Sequence, residues 1–302
     1  MAPVLVSADL LASAMQRISE EIDSGFDALL TVPRDARARL VEAMRYAAIG
    51  GGKRLRPMLL VATSEVFGVD RATAIRAGLA IEAIHVYSLV HDDLPCMDDD
   101  DIRHGKPTLH RAFDEATAVL AGDALHALAF EILSDSETIP DPFMRAELLH
   151  TLGTAAGMNG MAGGQMMDII AESEAFDLPV ITRLQQLKTG ALLAAAVEMG
   201  AILGHIPPEG RANLRGYARD LGLAFQIADD LLDHDGDEAM AGKSLRKDAA
   251  AGKQTFVSLL GPERARAQAA MLADQAIAQL AHHGQEADML RALARYFVER
   301  DH

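Results

Sequence analysis

Residues 81–90 read Ile81-Glu82-Ala83-Ile84-His85-Val86-Tyr87-Ser88-Leu89-Val90, and the chain then runs straight into His91-Asp92-Asp93-Leu94-Pro95-Cys96-Met97-Asp98-Asp99-Asp100-Asp101. From residue 71 onward this stretch is apolar on several sides of a 3.6-residue turn, which predicts a helix central to a bundle. Pro95 lacks the amide that would bond to the His91 carbonyl, so the helix should end or bend there. A bend lets Asp98 turn back toward Asp92, whereas a straight helix would set them on different sides. A second acidic run, Phe225-Gln226-Ile227-Ala228-Asp229-Asp230-Leu231-Leu232-Asp233, also follows an apolar helical pattern. Asp229 and Asp233 are four residues apart and share a face without any bend.

Outward from these runs, helical periodicity dominates. Segments 10–30, 36–48, 57–66 and 71–90 are expected helices, the third opened by Pro57. Further helices are expected at 115–133, 142–156, 159–171, 179–203, 208–233, 253–260, 262–283 and 285–299. Pro140 and Pro142, and Pro207-Pro208-Glu209-Gly210, mark turns. Segment 236–252 is polar and Lys-bearing, and reads as a mobile loop. No strand-period segment, short repeat or linker-like shift in composition stands out. Short connections between many helices imply antiparallel packing, and the expectation is an all-α bundle forming one domain over 1–302.

Composition agrees. Apolar residues make up 50% of 302 residues and aromatics only 4%, with no Trp, a palette that suits helices better than sheets. A net charge of −16 argues against a nucleic-acid surface and against docking on anionic lipid. The single cysteine, Cys96, leaves no intrachain disulfide and fits a reducing compartment. The amino terminus lacks a signal-peptide pattern, and the longest apolar run, 191–204, is too short to span a bilayer. A soluble cytoplasmic protein without stable membrane insertion is expected.

Carboxylates crowded at the ends of buried helices repel one another and lose solvation, so they need a compensating cation. Hard oxygen ligands reaching toward phosphate oxygens suit Mg²⁺, so a diphosphate gripped through magnesium is the reading the two runs support. Such metal could stabilise charge on a leaving oxygen. Gly50-Gly51-Gly52-Lys53-Arg54-Leu55-Arg56-Pro57 adds three cations beside a glycine run at a helix start, an anion site in waiting or else a solvated basic turn. It is not a P-loop. Asp233 to Glu238 misses the ligand order of an EF-hand. Zinc spacing, a nucleophile elbow and a dinucleotide fingerprint are all lacking, which favours metal-assisted ionisation.

Taken together, Gly51-Gly52-Lys53-Arg54-Leu55-Arg56-Pro57, Asp92 to Asp98 with Pro95-Cys96 inside, Lys188-Thr189-Gly190 and Asp229-Asp230-x-x-Asp233 resemble the trans-type short-chain isoprenyl diphosphate synthases, in order and spacing from about residue 40 onward. The resemblance implies the isoprenoid synthase fold around a deep central cavity, and a homodimer. It implies Mg²⁺, three ions per site, with Mn²⁺ able to substitute. Asp92, Asp98 and Asp229 would be the main ligands, supported by Asp93 and Asp233. Arg103, Lys188, Lys243 and Lys253 would hold the allylic diphosphate. Thr189, Gln226 and the Lys188 carbonyl would face a developing allylic cation. Lys53, Arg56 and His85 match the isopentenyl diphosphate contacts. His104 stands where the family commonly has a second arginine, and neutral imidazole offers one hydrogen bond and no charge.

Tyr87 lies five residues before Asp92, about 7.5 Å along the helix axis, and Ser88 one turn before it. A bulky group there resembles the floor that stops elongation, so the expected product is farnesyl diphosphate, made from isopentenyl diphosphate with dimethylallyl and geranyl diphosphates. A geranylgeranyl diphosphate synthase shares every motif. A silent partner subunit should have lost acidic motifs, and a terpene cyclase needs no isopentenyl site.

Overall fold

A computed structural model describes residues 6–235 and 254–299. Its helices are α1 (Ala8–Leu29), α2 (Ala38–Ala48), α3 (Leu55–Val66), α4 (Arg71–Asp92), α5 (Leu109–Ala112), α6 (Glu115–Ser134), α7 (Pro142–Ala156), α8 (Met161–Ile170), α9 (Leu178–Gln185), α10 (Ala191–Leu203), α11 (Ala212–Asp235), α12 (Phe256–Leu260), α13 (Pro262–Gln279) and α14 (Asp288–Glu299). The architecture is all-α, as expected.

Local chemistry sets the ends. Asp70, Asp114, Asp141 and Asp177 each accept a backbone amide of the first turn at the starts of α4, α6, α7 and α9. Thr255 and Ser258 form a reciprocal capping box on α12. Helix α3 starts at Leu55, two residues before the predicted start at Pro57, because the first turn of a helix has no use for its amides and tolerates proline within it. Segment 179–203 is continuous but carries a π-turn, Gln186–Gly190, between α9 and α10. Two elements depart from the purely helical expectation. Ile102–Arg103 (β1) pairs antiparallel with Lys106–Pro107 (β2) across His104-Gly105. Both turn residues have positive φ, as a two-residue hairpin with the right-handed strand twist requires.

Helix α4 is the axis of the fold, packed along α6 and α3, while α10 lies along α3 and α11 along α13. A large apolar cluster runs through α1, α3, α4, α6, α10 and α14. A smaller one, with Ile181, Ala224, Ile227, Phe256 and Leu272, sits between α9, α11, α12 and α13. Three helical stretches, Arg71–Asp92, Glu115–Ser134 and Leu178–Leu203, are by length and composition long and apolar enough to cross a bilayer. Run length alone misses them because polar side chains interrupt each apolar run without ending its helix: Glu82 and His85 in the first, Asp123 and His126 in the second, Arg183 and Lys188 in the third. Within the bundle, 67% of the most apolar window of α4 is buried, but only 44% of that of α6.

Candidate active site

A cavity of about 950 Å³ opens between the carboxyl-terminal ends of α4 and α11. On α4, whose middle is buried, His85, Ser88, Leu89 and Asp92 are part-exposed and recur at helical spacing, forming a stripe that lines it. On α11 the corresponding stripe is Gln226, Asp229 and Asp233. Asp92 and Asp229, from runs far apart in the chain, thus border one hollow.

The fold-back predicted at Pro95 is present. Helix α4 ends at Asp92, and the Asp98 amide donates to the Asp92 carbonyl at 2.8 Å. Burial pushes the Asp92 carboxyl up to about 6; Lys188 and Arg103 oppose this, while Asp98 and Asp93 add to it. A carboxyl so placed is one that a divalent cation would return to its ionised form. Asp93 is buried, and Arg103 holds it with Nε at 2.7 Å and a second nitrogen at 2.6 Å. Its carboxyl is pushed up by burial and drawn back by that arginine.

Among the described residues, no three His, Cys, Asp or Glu side chains converge as a ready-made chelate. The acidic rims instead suit ions that complete their shells with water and substrate oxygens, which is how Mg²⁺ binds through one or two carboxylates. The donors present therefore fit magnesium.

The Lys188-Thr189-Gly190 motif lies in the π-turn. There is no room for any side chain at 164, where a Cβ would collide with the Lys188 backbone, and one at Gly222 would stand 3.3 Å from the Gly190 Cα. Helices α8 and α11 thus clamp the turn from two sides. Lys188 Nζ meets Asp168 at 2.8 Å. The Thr189 hydroxyl donates to Gln226 Oε1 at 3.1 Å, and Gln226 Nε2 donates to Asp230 Oδ1 at 2.9 Å. Asp230, buried, also accepts the Phe256 amide at 2.9 Å. With its proton committed to Gln226, the Thr189 oxygen offers only lone pairs to any other neighbour.

Lys53, Arg56 and His104 line the same cavity, together with His85 of the α4 stripe. Arg54 has φ +50° and is buried, paired to Glu82 at 2.8 Å and to Asp23 at 2.6 Å. It therefore anchors the glycine loop. Burial lowers Arg56 to about 10, with Glu82 opposing. Burial also holds His85 well below its ordinary range, helped by the positive charge of Arg56 and Arg103, so its imidazole is neutral. His104 sits over the loop, for a Cβ on Gly51 would be 3.3 Å from its Nδ1. Tyr87 and Ser88 line the cavity, the Ser88 hydroxyl turned back onto the His85 carbonyl at 2.8 Å. Lys243, Lys253 and the expected loop 236–252 lie outside the described residues.

Asp168, Gln165, Asp23 and Glu82 escaped the sequence reading. Gln165 is buried in the cavity wall with neither amide atom bonded to the protein. Lone polar residues on an apolar helix give no signal of their own; only the four-residue rhythm of Met161, Gln165 and Ile169 could have set Gln165 on one face.

A helical bundle whose hollow is bordered by two acidic rims and by clustered cations is built to receive a polyanion together with metal. The polyprenyl synthetase family model matches residues 37–295, and the chain belongs to that family. It is 46% identical over 268 residues to the farnesyl diphosphate synthase of Escherichia coli (strain K12), covering 87% of this chain and 89% of that one. The crystal structure of an FPP/GFPP synthase from Zymomonas mobilis superposes with a TM-score of 0.89 at 57% identity, covering 97% of this chain and all of that one. A geranyltransferase from Helicobacter pylori complexed with magnesium and isoprenyl diphosphate gives 0.83 at 32% identity, with 98% of each chain covered.

Proposed function

We propose that this chain is a prenyltransferase that condenses isopentenyl diphosphate with dimethylallyl and then geranyl diphosphate to give farnesyl diphosphate and pyrophosphate. The observation that carries the reading is the meeting of Asp92 and Asp229 on one cavity that Lys53, Arg56 and His85 also line. Its kinship to farnesyl diphosphate synthases supports the same assignment.

Asp92, Asp98 and Asp229, with Asp93 and Asp233 in support, would hold Mg²⁺, with three ions per site and Mn²⁺ as a substitute. Bound metal supplies Lewis acidity to the leaving pyrophosphate. Lys188, Arg103, Lys243 and Lys253 orient the allylic diphosphate as its C–O bond breaks. Thr189, Gln226 and the Lys188 carbonyl turn negative dipole ends toward the allylic cation. Lys53, Arg56, His85 and His104 hold isopentenyl diphosphate with its double bond toward that cation. A new C–C bond forms, and the departing pyrophosphate takes the proton that is lost.

Tyr87 closes the inner end of the hydrocarbon channel, with Ser88 beside it, and limits the product to fifteen carbons. Longer products are the competing reading, because the related Zymomonas mobilis protein is described as an FPP/GFPP synthase. Sizing the lipid product by chromatography decides between them, and Tyr87→Ala should shift it to twenty carbons or more. Unaltered length in that variant would remove Tyr87 as the stop. We also propose a single-domain, soluble, cytoplasmic homodimer. Exposed Val119 and Leu120 on the half-buried α6 support a covering partner copy.

A further inference from the structure

Tyr87 does not stand alone on the cavity wall. Its ring meets the His126 imidazole edge-on, centroids 5.0 Å apart and planes at 89°. His126 in turn lies 5.2 Å from the Phe130 ring, and Tyr87 meets His91 edge-on at 5.7 Å. Tyr87 and His91 line the cavity, whereas His126 and Phe130 do not. Tyr87 is therefore a partition with a second layer of rings behind it, in a chain with only 4% aromatic residues.

Helix α6 is shaped to carry that layer. Gly122 and His126 lie one turn apart on the side that meets α4, with Phe130 one turn further on. The Val119 carbonyl lies 3.1 Å from His91 Nε2, and a Cβ at Gly122 would collide with the His91 ring. Glycine there lets α4 approach until Tyr87 reaches His126. Burial lowers His126, against the pull of Asp123, so it faces Tyr87 as a neutral ring.

We propose that His126 is a positioning residue for product length: its imidazole backs the Tyr87 ring so that a growing prenyl tail cannot push the ring aside. A tyrosine with open space behind it can rotate away, and one braced by an edge-on ring cannot do so without losing that contact. The inference rests on the reading of Tyr87 as the channel floor.

The test measures the chain-length distribution made from geranyl diphosphate and excess isopentenyl diphosphate by the purified full-length protein and its variants. His126→Ala should raise the ratio of twenty- to fifteen-carbon product about tenfold, the scale of one lost edge-on ring contact. His126→Phe, which restores a ring, should keep the fifteen-carbon product. The double variant Tyr87→Ala/His126→Ala should lengthen products no further than Tyr87→Ala alone, which a general loosening of the fold would not reproduce. If Tyr87→Ala lengthens products and His126→Ala does not, the bracing role is overturned. If Tyr87→Ala itself has no effect, the floor reading fails instead. Should His126→Ala not fold, His126→Ser carries the same expectation and the same refutation.

Discussion

The amide of Asp98 donates to the carbonyl of Asp92 at 2.8 Å, closing the loop around Pro95 and returning the second carboxylate to the end of α4. The pair is held by backbone, so a side-chain change can remove a carboxylate without dissolving the loop. Asp98→Asn is expected to keep its helical circular dichroism and to lose pyrophosphate release on the order of 10²-fold or more, as loss of several kcal/mol of charge stabilisation requires. An unchanged rate would contradict the role of Asp98.

Gly164 lets α8 touch the π-turn, and any side chain there meets the Lys188 backbone rather than a flexible tip. Gly164→Ala should displace Lys188 and Thr189 together. The expected outcome is a lower kcat with a stability loss of about 1–3 kcal/mol in urea melts, the usual cost of overpacking. A variant with full activity would show that the turn's position is not critical.

His85 is buried without charge, so its folded pKa lies below the unfolded value of about 6.5. Below that pH the unfolded chain binds the extra proton, and stability is lost as pH falls. Gln cannot titrate, so the stability of His85→Gln relative to the parent should rise steadily between pH 7.5 and 5.5. Parallel curves would refute a neutral buried His85.

His104 occupies a positive-φ turn position over Gly51 and Gly52, within the ring of groups proposed for isopentenyl diphosphate. Guanidinium adds permanent charge and more donors, so His104→Arg should lower KM for isopentenyl diphosphate about tenfold. A KM unchanged from pH 6 to 8 in both proteins would exclude His104 from binding.

Much of this arrangement is legible in the chain because its signals are local. Pro95 announces the end of α4, and the four-residue spacing of Asp229 and Asp233 sets them on one face. The caps at Asp70, Asp114, Asp141 and Asp177 fall where periodic segments begin. What stays hidden depends on contacts between distant segments. The π-turn is packed closely by α8 and α11 at Gly164 and Gly222, and neither glycine advertises that. The two-residue strands flanking His104-Gly105 are too short for an alternating pattern. Arg54 looks like one of three equivalent cations, yet Glu82 and Asp23 bury it while Lys53 and Arg56 line the cavity.

The most direct test follows pyrophosphate release from geranyl diphosphate with Mg²⁺, in the presence and absence of isopentenyl diphosphate. Fast release only when both the second substrate and the metal are supplied is the predicted result. Equally fast release without isopentenyl diphosphate, or none under any condition, would contradict a two-substrate condensation in this cavity.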